Sequence, residues 1–249
     1  MTASTAAQAD GSPAPATGTE DWQQFAKYRG RILHHESVAK DMLSIIVEKP
    51  DGFEFTAGQG VDLTLDVEGW REKKSPMAIA SLPHQRRLEF YIHAADGEAA
   101  VNREIAESKV GTRLLFNDAN DMLRDEGPGV YIAGGAGLAT FVAKFRDLDR
   151  RGEIEGNRLF LVNERRDEVF LQSEMFRLFG RSVTSTLTKQ EHRDFEHGEI
   201  DREWIEKRVG CVDQPFYIAG PPSMTREIAS IIEELGGTAQ TIDWEGAIG

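Results

Sequence analysis

The chain has 249 residues, 40% of them hydrophobic and 29% charged, a composition that excludes fibrous and wholly disordered proteins and, at roughly 100–200 residues per domain, favours two domains or one large one. Its one cysteine, Cys211, excludes an internal disulfide and any iron–sulfur centre ligated by this chain alone. Forty-two acidic against 29 basic side chains leave a net charge of −13, which repels nucleic acid and anionic lipid surfaces.

Residues 1–25 read as a disordered tail, because the first twenty hold six Ala and four Thr and no Val, Ile, Leu or aromatic residue to bury. They lack the basic start and apolar stretch of a secretory signal, which points to the cytoplasm. No run approaches the ~20 apolar residues of a membrane span. Residues 129–143 come nearest, at fifteen residues with four glycines.

Residues 26–125 read as a β domain. Apolar and polar residues alternate with a period near two at 29–35, 42–48, 61–67, 77–81, 88–93 and 113–116, with Pro50, Asp51 and Gly52 supplying a turn. Six short strands of this kind predict a small antiparallel barrel. One helix is predicted at 99–107, where Val101 and Ile105 are four apart, and 118–129 reads as a linker. Over 126–249 the period changes: strands at 130–133, 159–162, 182–186 and 216–218 alternate with helices at 138–150, 171–179, 201–209 and 223–235. Such alternation implies a parallel sheet covered on both faces, with 239–244 as an added edge strand. Met175, Phe176 and Phe179 form a helical stripe assigned to the core.

The strongest local signal is the apolar run Val130, Tyr131, Ile132 and Ala133 passing through Gly134, Gly135, Ala136 and Gly137 into a helix. Glycines let backbone N–H groups approach a pyrophosphate, and the helix N-terminus adds about half a positive charge. A second strand ends at Ala219, Gly220, Pro221 and Pro222, with Ser223 as the expected helix cap. Two such strand ends in one sheet predict a nucleotide crevice. At the end of the second strand stand Asn163, Glu164, Arg165 and Arg166. A carboxylate there can hydrogen-bond the adenosine ribose and would repel a 2′-phosphate, whereas the arginines can hold one. Two cations beside one carboxylate lean the reading toward NADPH and leave NADH open. The two histidine clusters, His34–His35 and His192–His197, lack the spacing of a zinc site, so no metal is expected.

Barrel followed by α/β domain, with Phe55-Thr56-Ala57-Gly58-Gln59, Ser75-Pro76-Met77-Ala78-Ile79-Ala80-Ser81, Leu88-Glu89-Phe90-Tyr91-Ile92, Gly134-Gly135-Ala136-Gly137 and Ala219-Gly220-Pro221-Pro222, resembles the ferredoxin-NADP reductase superfamily, and most of all its short flavodoxin reductase-like branch. His197-Gly198-Glu199-Ile200-Asp201 is similar to that branch's Gly-Arg-Ile-Thr/Asp helix start. The resemblance implies an FAD-binding six-stranded barrel, a C-terminal NAD(P)-binding domain, and hydride transfer from NADPH or NADH to FAD. Single electrons would then pass to a carrier protein of ferredoxin or flavodoxin type. It also implies that Ser75 to Ser81 and Asn102 hold FAD, that Gly134, Gly135, Gly137, Asn163 to Arg166 and Gly220 to Pro222 hold the nucleotide, and that Ser81 and Ala219 stand at the reacting rings.

The family's flavin motif, Arg-Pro-aromatic-Ser/Thr, is here Ser75-Pro76-Met77-Ala78. The arginine for the diphosphate, the stacking ring and the hydroxyl are absent, although divergent relatives carry an Ala-Ile-Ala-Ser version. Ala139 and Thr140 replace the family's Thr-Pro, Ala219 replaces its cysteine, and Asp121 stands where it has a glycine. Lys73 or Lys74, Asn102 and the first turn of the 99–107 helix are candidate replacements for the missing arginine. A reductase scaffold that has lost its flavin and serves as a nucleotide-binding or complex subunit is the alternative.

Overall fold

The structure is a computed structural model that describes residues 26–95 and 100–242. The expected tail, Ala99 and residues 243–244 of the expected edge strand lie outside the described residues.

The first sheet contains β1 (Tyr28–Ala39), β2 (Met42–Glu48), β3 (Gln59–Leu65), β4 (Ser75–Ala78), β5 (Arg87–His93), β6 (Arg113–Phe116) and β7 (Asn120–Asp121). Its order is β4-β3-β6-β1-β2-β5, with β7 also on β3, and every pairing is antiparallel. Alternate residues of these strands meet in one core that includes Ile32, Ile45, Val61, Leu63, Phe90 and Phe116, all nearly inaccessible to solvent. That is the period-two pattern of the sequence closed on itself. The two ends of the sheet approach where the Ala80 N–H donates to the Glu89 carbonyl at 2.8 Å. Helix α1 (Ala100–Glu107) packs Val101 and Ile105 into the same core.

Two expectations shift here. The strand expected at 77–81 is paired as Ser75–Ala78, because the chain changes partners after Ala78: Ile79 N–H still reaches the Gln59 carbonyl at 3.1 Å, then Ala80 turns to β5. The expected linker contains β7, whose pairing of Asn120 with Gly60 no local pattern announces.

The second sheet holds β8 (Val130–Gly134), β9 (Arg158–Asn163), β10 (Val183–Leu187), β11 (Glu196–His197), β12 (Phe216–Ala219) and β13 (Ala239–Ile242), in the parallel order β11-β10-β9-β8-β12-β13. Helices α2 (Leu138–Arg151) and α3 (Gln172–Phe179) cover one face; α4 (Arg202–Arg208) and α5 (Pro222–Glu234) cover the other. Strands β8 and β12 are buried along their whole length, as a sheet covered on both faces requires. The chain order reverses between β8 and β12, which opens a crevice at their C-terminal ends.

Three local expectations are corrected. Helix α5 starts one residue early, at Pro222 with Pro221 as its cap, so Ser223 caps nothing; the fixed φ of proline is already helical at a first position. Phe176 is exposed while Met175 and Phe179 are buried, since residues four apart share a face and the intervening Phe176 is turned away. The edge pair Glu196–His197 adds a strand beyond β10 that the sequence reading lacks.

Tyr217 joins the connection between the sheets to the second core. Its hydroxyl accepts from the Glu126 N–H at 2.9 Å and donates to the Gly127 carbonyl at 2.8 Å, and its ring stacks on Tyr131 at 4.5 Å. Replacing Tyr217 by Phe keeps the ring and strands two backbone partners. The expected loss is about 1–2 kcal/mol of unfolding free energy, read by urea titration with an unchanged circular dichroism spectrum.

Candidate functional site

The structure brings the two predicted regions to one cavity of about 860 Å³, within the usual 300–1,000 Å³ of small-molecule sites. Its barrel wall is Ser75, Pro76, Met77 and Ala78 from β4, Tyr91 and His93 from β5, the β1–β2 turn at Lys40, Asp41 and Met42, and Asn102 on α1. The opposite wall is formed by Gly134, Gly135, Ala136 and Gly137, by Gly220, Pro221 and Pro222, and by Asn163 and Glu164 at the end of β9.

The glycines have separate reasons. At Gly137 an added Cβ would lie 2.2 Å from the Ala219 carbonyl oxygen, so α2 seats directly on β12 only because no side chain intervenes. At Gly135 φ is +50° and an added Cβ would meet nothing within 4 Å. Because Gly135 lines the cavity, its open side leaves the backbone accessible to a ligand. Met224 reaches across from α5, its Cε 2.6 Å from where a Cβ on either Gly134 or Gly220 would stand, and so occupies the gap between the two turns.

The polar groups are unevenly distributed. Glu164, Glu168, Glu199, Glu227 and Asp41 line the cavity, against Lys40 and Lys189. Glu164 pairs with Lys189, and Glu168 Oε2 accepts the backbone N–H groups of Glu164 and Arg165 at 2.9 and 3.1 Å. That carboxylate shapes the turn after β9, and the exposed Arg165 and Arg166 are not part of the lining. On the barrel side Asn102 donates through Nδ2 to the His93 carbonyl at 3.2 Å, while its Oδ1 is buried without a partner. Burial first, and then the neighbouring Glu89 carboxylate, push the Tyr91 phenol well above its ordinary range, so it stays a donor to Glu89 at 2.8 Å.

The cavity is lined without several residues that the sequence singled out. Ile79 and Ala80 are enclosed behind β4. Ser81 is buried and its Oγ accepts the Glu89 N–H at 3.2 Å, a bond across the barrel's closing rung. Ala219 lies buried beneath Gly137. Lys73 is placed over the Trp70 ring, its Nζ 4.1 Å from the centroid, and neither it nor Lys74 is part of the lining. Conversely, Lys40, Asp41, Met42, His93, Lys189, Glu199, Glu227 and Met224 line the cavity and were not assigned to it. Glu199, like the lining Tyr91, stood inside a quoted motif; the others carry no local signal of a site, since strands, helices and turns distant in sequence deliver them.

The donor set can be tested against the flavin dinucleotide that this fold suggests. The cavity is large enough, the first turn of α1 leaves N–H groups that the helix itself cannot satisfy, and the orphaned Asn102 Oδ1 has an unmet need for a donor. Among the described residues no arginine lines the cavity, so a diphosphate would rest on backbone donors and lysine charge. On these grounds the residues present fit the group.

An antiparallel barrel followed by a parallel nucleotide-type sheet, with the cavity between them, defines the ferredoxin reductase-like fold. No family model matches the chain. The reductase component of propane 2-monooxygenase from Rhodococcus jostii is 24% identical over 225 residues, covering 84% of this chain and 60% of that protein. The chain thus spans less than two thirds of that relative. A ferredoxin NADP+ reductase from Neisseria gonorrhoeae, solved with bound FAD and NADP, superposes with a TM-score of 0.75 at 17% identity, over 87% of this chain and 98% of that one. The flavohaem-like FAD/NAD-binding domain of nitric oxide dioxygenase from Vibrio cholerae gives 0.74 at 14% identity, over 88% and 99%.

Gly135→Val tests the glycine-turn wall of the cavity. A β-branched side chain at positive φ costs on the order of 1–3 kcal/mol and projects into the cavity. Calorimetry is expected to show affinity for reduced pyridine nucleotide lowered about tenfold or more, with the barrel's circular dichroism intact. Unchanged affinity would make the loop a packing turn only.

Proposed function

We propose that this chain is an NAD(P)H-dependent FAD oxidoreductase that passes electrons to a separate carrier protein. The observation that carries the reading is the single cavity walled on one side by β4 and on the other by both strand-end turns of the parallel sheet. FAD, when bound, supplies a centre that takes a hydride from reduced nicotinamide and releases electrons singly. The chain's own part is positional. Pro76, Met77, Ala78 and Tyr91 offer an apolar wall for a flat ring, and Asn102 with the first turn of α1 offers polar partners at its edge. Gly135 and Gly220 expose backbone to the nucleotide. Buried β4 and β5 keep water from the barrel side.

The division of the chain at residues 125 and 126 belongs to the same reading, supported by the change from antiparallel to parallel pairing between β7 and β8. A single cysteine cannot hold an iron–sulfur cluster, so the one-electron acceptor lies outside these residues. A ferredoxin or flavodoxin type of carrier fits that requirement, and the relative named above is itself one component of an oxygenase system. Among the described residues no helix is long and apolar enough to cross a membrane. The cytoplasmic pool of reduced nicotinamide is the proposed source of electrons.

NADH is the nucleotide this cavity favours, in place of the lean toward NADPH drawn from sequence. Glu164 lines the crevice at the end of β9 and Arg165 and Arg166 do not, so a ribose meets a carboxylate and a 2′-phosphate meets repulsion. Glu199 stands where the family's helix start has an arginine, and adds charge of the same sign.

Two measurements check the reading. FAD is expected to copurify with the protein, which then absorbs near about 450 nm as oxidised flavoproteins do; a sample that is colourless after refolding with excess FAD and removal of the unbound FAD would promote the non-catalytic scaffold. Glu164→Ala removes the repulsion and releases Lys189 from its pair. The ratio of NADPH to NADH dissociation constants is expected to fall about tenfold, as one lost charge contact of about 1.4 kcal/mol implies. A ratio unmoved by this change would show that the turn does not read the ribose.

A further inference from the structure

Arg146 lies on α2, in the parallel-sheet half, yet its guanidinium reaches across the seam. Nη1 donates to the Ala80 carbonyl at 2.9 Å and to Glu89 Oε2, both in the barrel, while Nε and Nη2 hold Glu174 of α3 bidentately at 2.7 and 2.9 Å. The three side chains are about four-fifths buried. Ala80 and Glu89 are the two residues whose backbones form the barrel's closing rung. The other oxygen of Glu89 accepts from Tyr91, which lines the cavity, and Ala80 follows the cavity-lining Ala78 by two positions. One guanidinium therefore touches β5 and the segment directly after β4. Burial opposes its charge, but the hydrogen bonds it donates to Glu174 and the charges of both carboxylates outweigh it and keep Arg146 protonated.

The second end of the same helix is the nucleotide wall. Arg146 lies eight residues past Leu138, where α2 leaves the glycine turn, or about 12 Å along the axis at 1.5 Å per residue. Elsewhere the halves also meet through the Lys40 N–H on the Asp167 carbonyl at 2.8 Å, the Tyr91 ring against Phe170 at 5.3 Å, the Lys144–Asp125 ion pair, the Gln240 side chain on the Arg124 backbone and the apolar cluster that joins Met42 and Ala80 to Leu138 and Phe145. A tilt of about 10° about the Arg146 contact would displace the glycine turn by about 2 Å over that length. Reacting atoms must lie about 3–3.5 Å apart, and a misplacement of about 1 Å costs up to about a hundredfold in rate.

We propose that Arg146 is a positioning residue for hydride transfer: it sets the distance between the nucleotide wall and the barrel wall by joining α2 to the closing rung at Ala80 and Glu89. The inference rests on the reductase reading given above. A lysine cannot serve equally, because a point charge cannot hold two carboxylates and a carbonyl in one plane. Removing the guanidinium leaves Glu89 and Glu174 facing one another with no cation between them, which pushes the halves apart.

The test has two arms. In protein without FAD, hydrogen exchange of the Ala80 and Glu89 amides is expected to speed up about tenfold in Arg146→Ala and less in Arg146→Lys. In FAD-loaded protein, stopped-flow reduction at saturating NADH is expected to slow about tenfold or more in Arg146→Ala, with the dissociation constant for NADH within about twofold. Arg177→Ala breaks an exposed contact between α3 and α2, to Asp149 at 3.3 Å, that does not reach the barrel; it should change neither readout. Should Arg146→Ala not fold, Glu89→Gln removes the same cross-seam charge and is expected to move both readouts in the same direction. Faster exchange without slower reduction, or slower reduction without faster exchange, overturns the proposal. A wild-type protein that binds FAD and NADH but transfers no hydride overturns the reductase reading instead, and the exchange arm then stands as a test of the contact alone.

Discussion

Met42, Ala80 and Tyr91 of the barrel are buried in the same apolar cluster as Tyr131, Leu138, Phe141 and Phe145 of the parallel-sheet half. Everything functional in this chain follows from that shared burial. Apolar surface is removed from water on both sides of the seam at once, at roughly 25 cal/mol per Å², so neither half presents its finished surface without the other. The cavity is the part of the seam that the apolar contacts do not fill. Its walls are strand ends and glycine turns, which carry exposed backbone groups and cannot close over one another.

Arg146 is the polar counterpart of that seam. A guanidinium shared by two carboxylates and a carbonyl supplies direction where apolar contact supplies only attraction, since hydrogen bonds at 2.7 to 2.9 Å tolerate little displacement. The cross-seam backbone bond at Lys40 and the hydroxyl of Tyr217 on the connecting segment act similarly at other points. Polar contacts fix the register of a surface whose adhesion is hydrophobic.

The departures of the flavin motif have a consistent pattern. Ser75, Met77 and Ala78 are buried and uncharged, where the motif that the sequence resembles has an arginine, a ring and a hydroxyl. What remains for the proposed anionic cofactor is backbone, in the first turn of α1 and at Gly135, together with the charge of Lys40 and Lys189, and backbone donors need no particular side chain. The crevice at the strand ends of the parallel sheet is acidic rather than basic, with Glu164, Glu168, Glu199 and Glu227 along it. The net charge of −13 is therefore expressed inside the site and not only on the solvated faces.

The sequence by itself determined the two sheets, the parallel connectivity and the two glycine-containing strand ends, because periods of two and 3.6 and the punctuation by Gly and Pro are local properties of the chain. It placed β2 and β6 at their observed bounds and named both glycine-containing turns that line the crevice. It did not place β7, whose pairing partner is some sixty residues away, or the shift of β4, which changes neighbours at a barrel corner. It grouped Glu164, Arg165 and Arg166 as equivalents. Only the folded turn separates them, since Glu168 captures the backbone N–H groups there and leaves Glu164 on the crevice and the arginines outside it. Arg146 gave no signal at all: on α2 it is one charge among several, and its role exists only where Ala80, Glu89 and Glu174 arrive from three other segments. Tertiary structure decided these features because each depends on groups far apart in sequence meeting at one place, and no local pattern encodes a meeting.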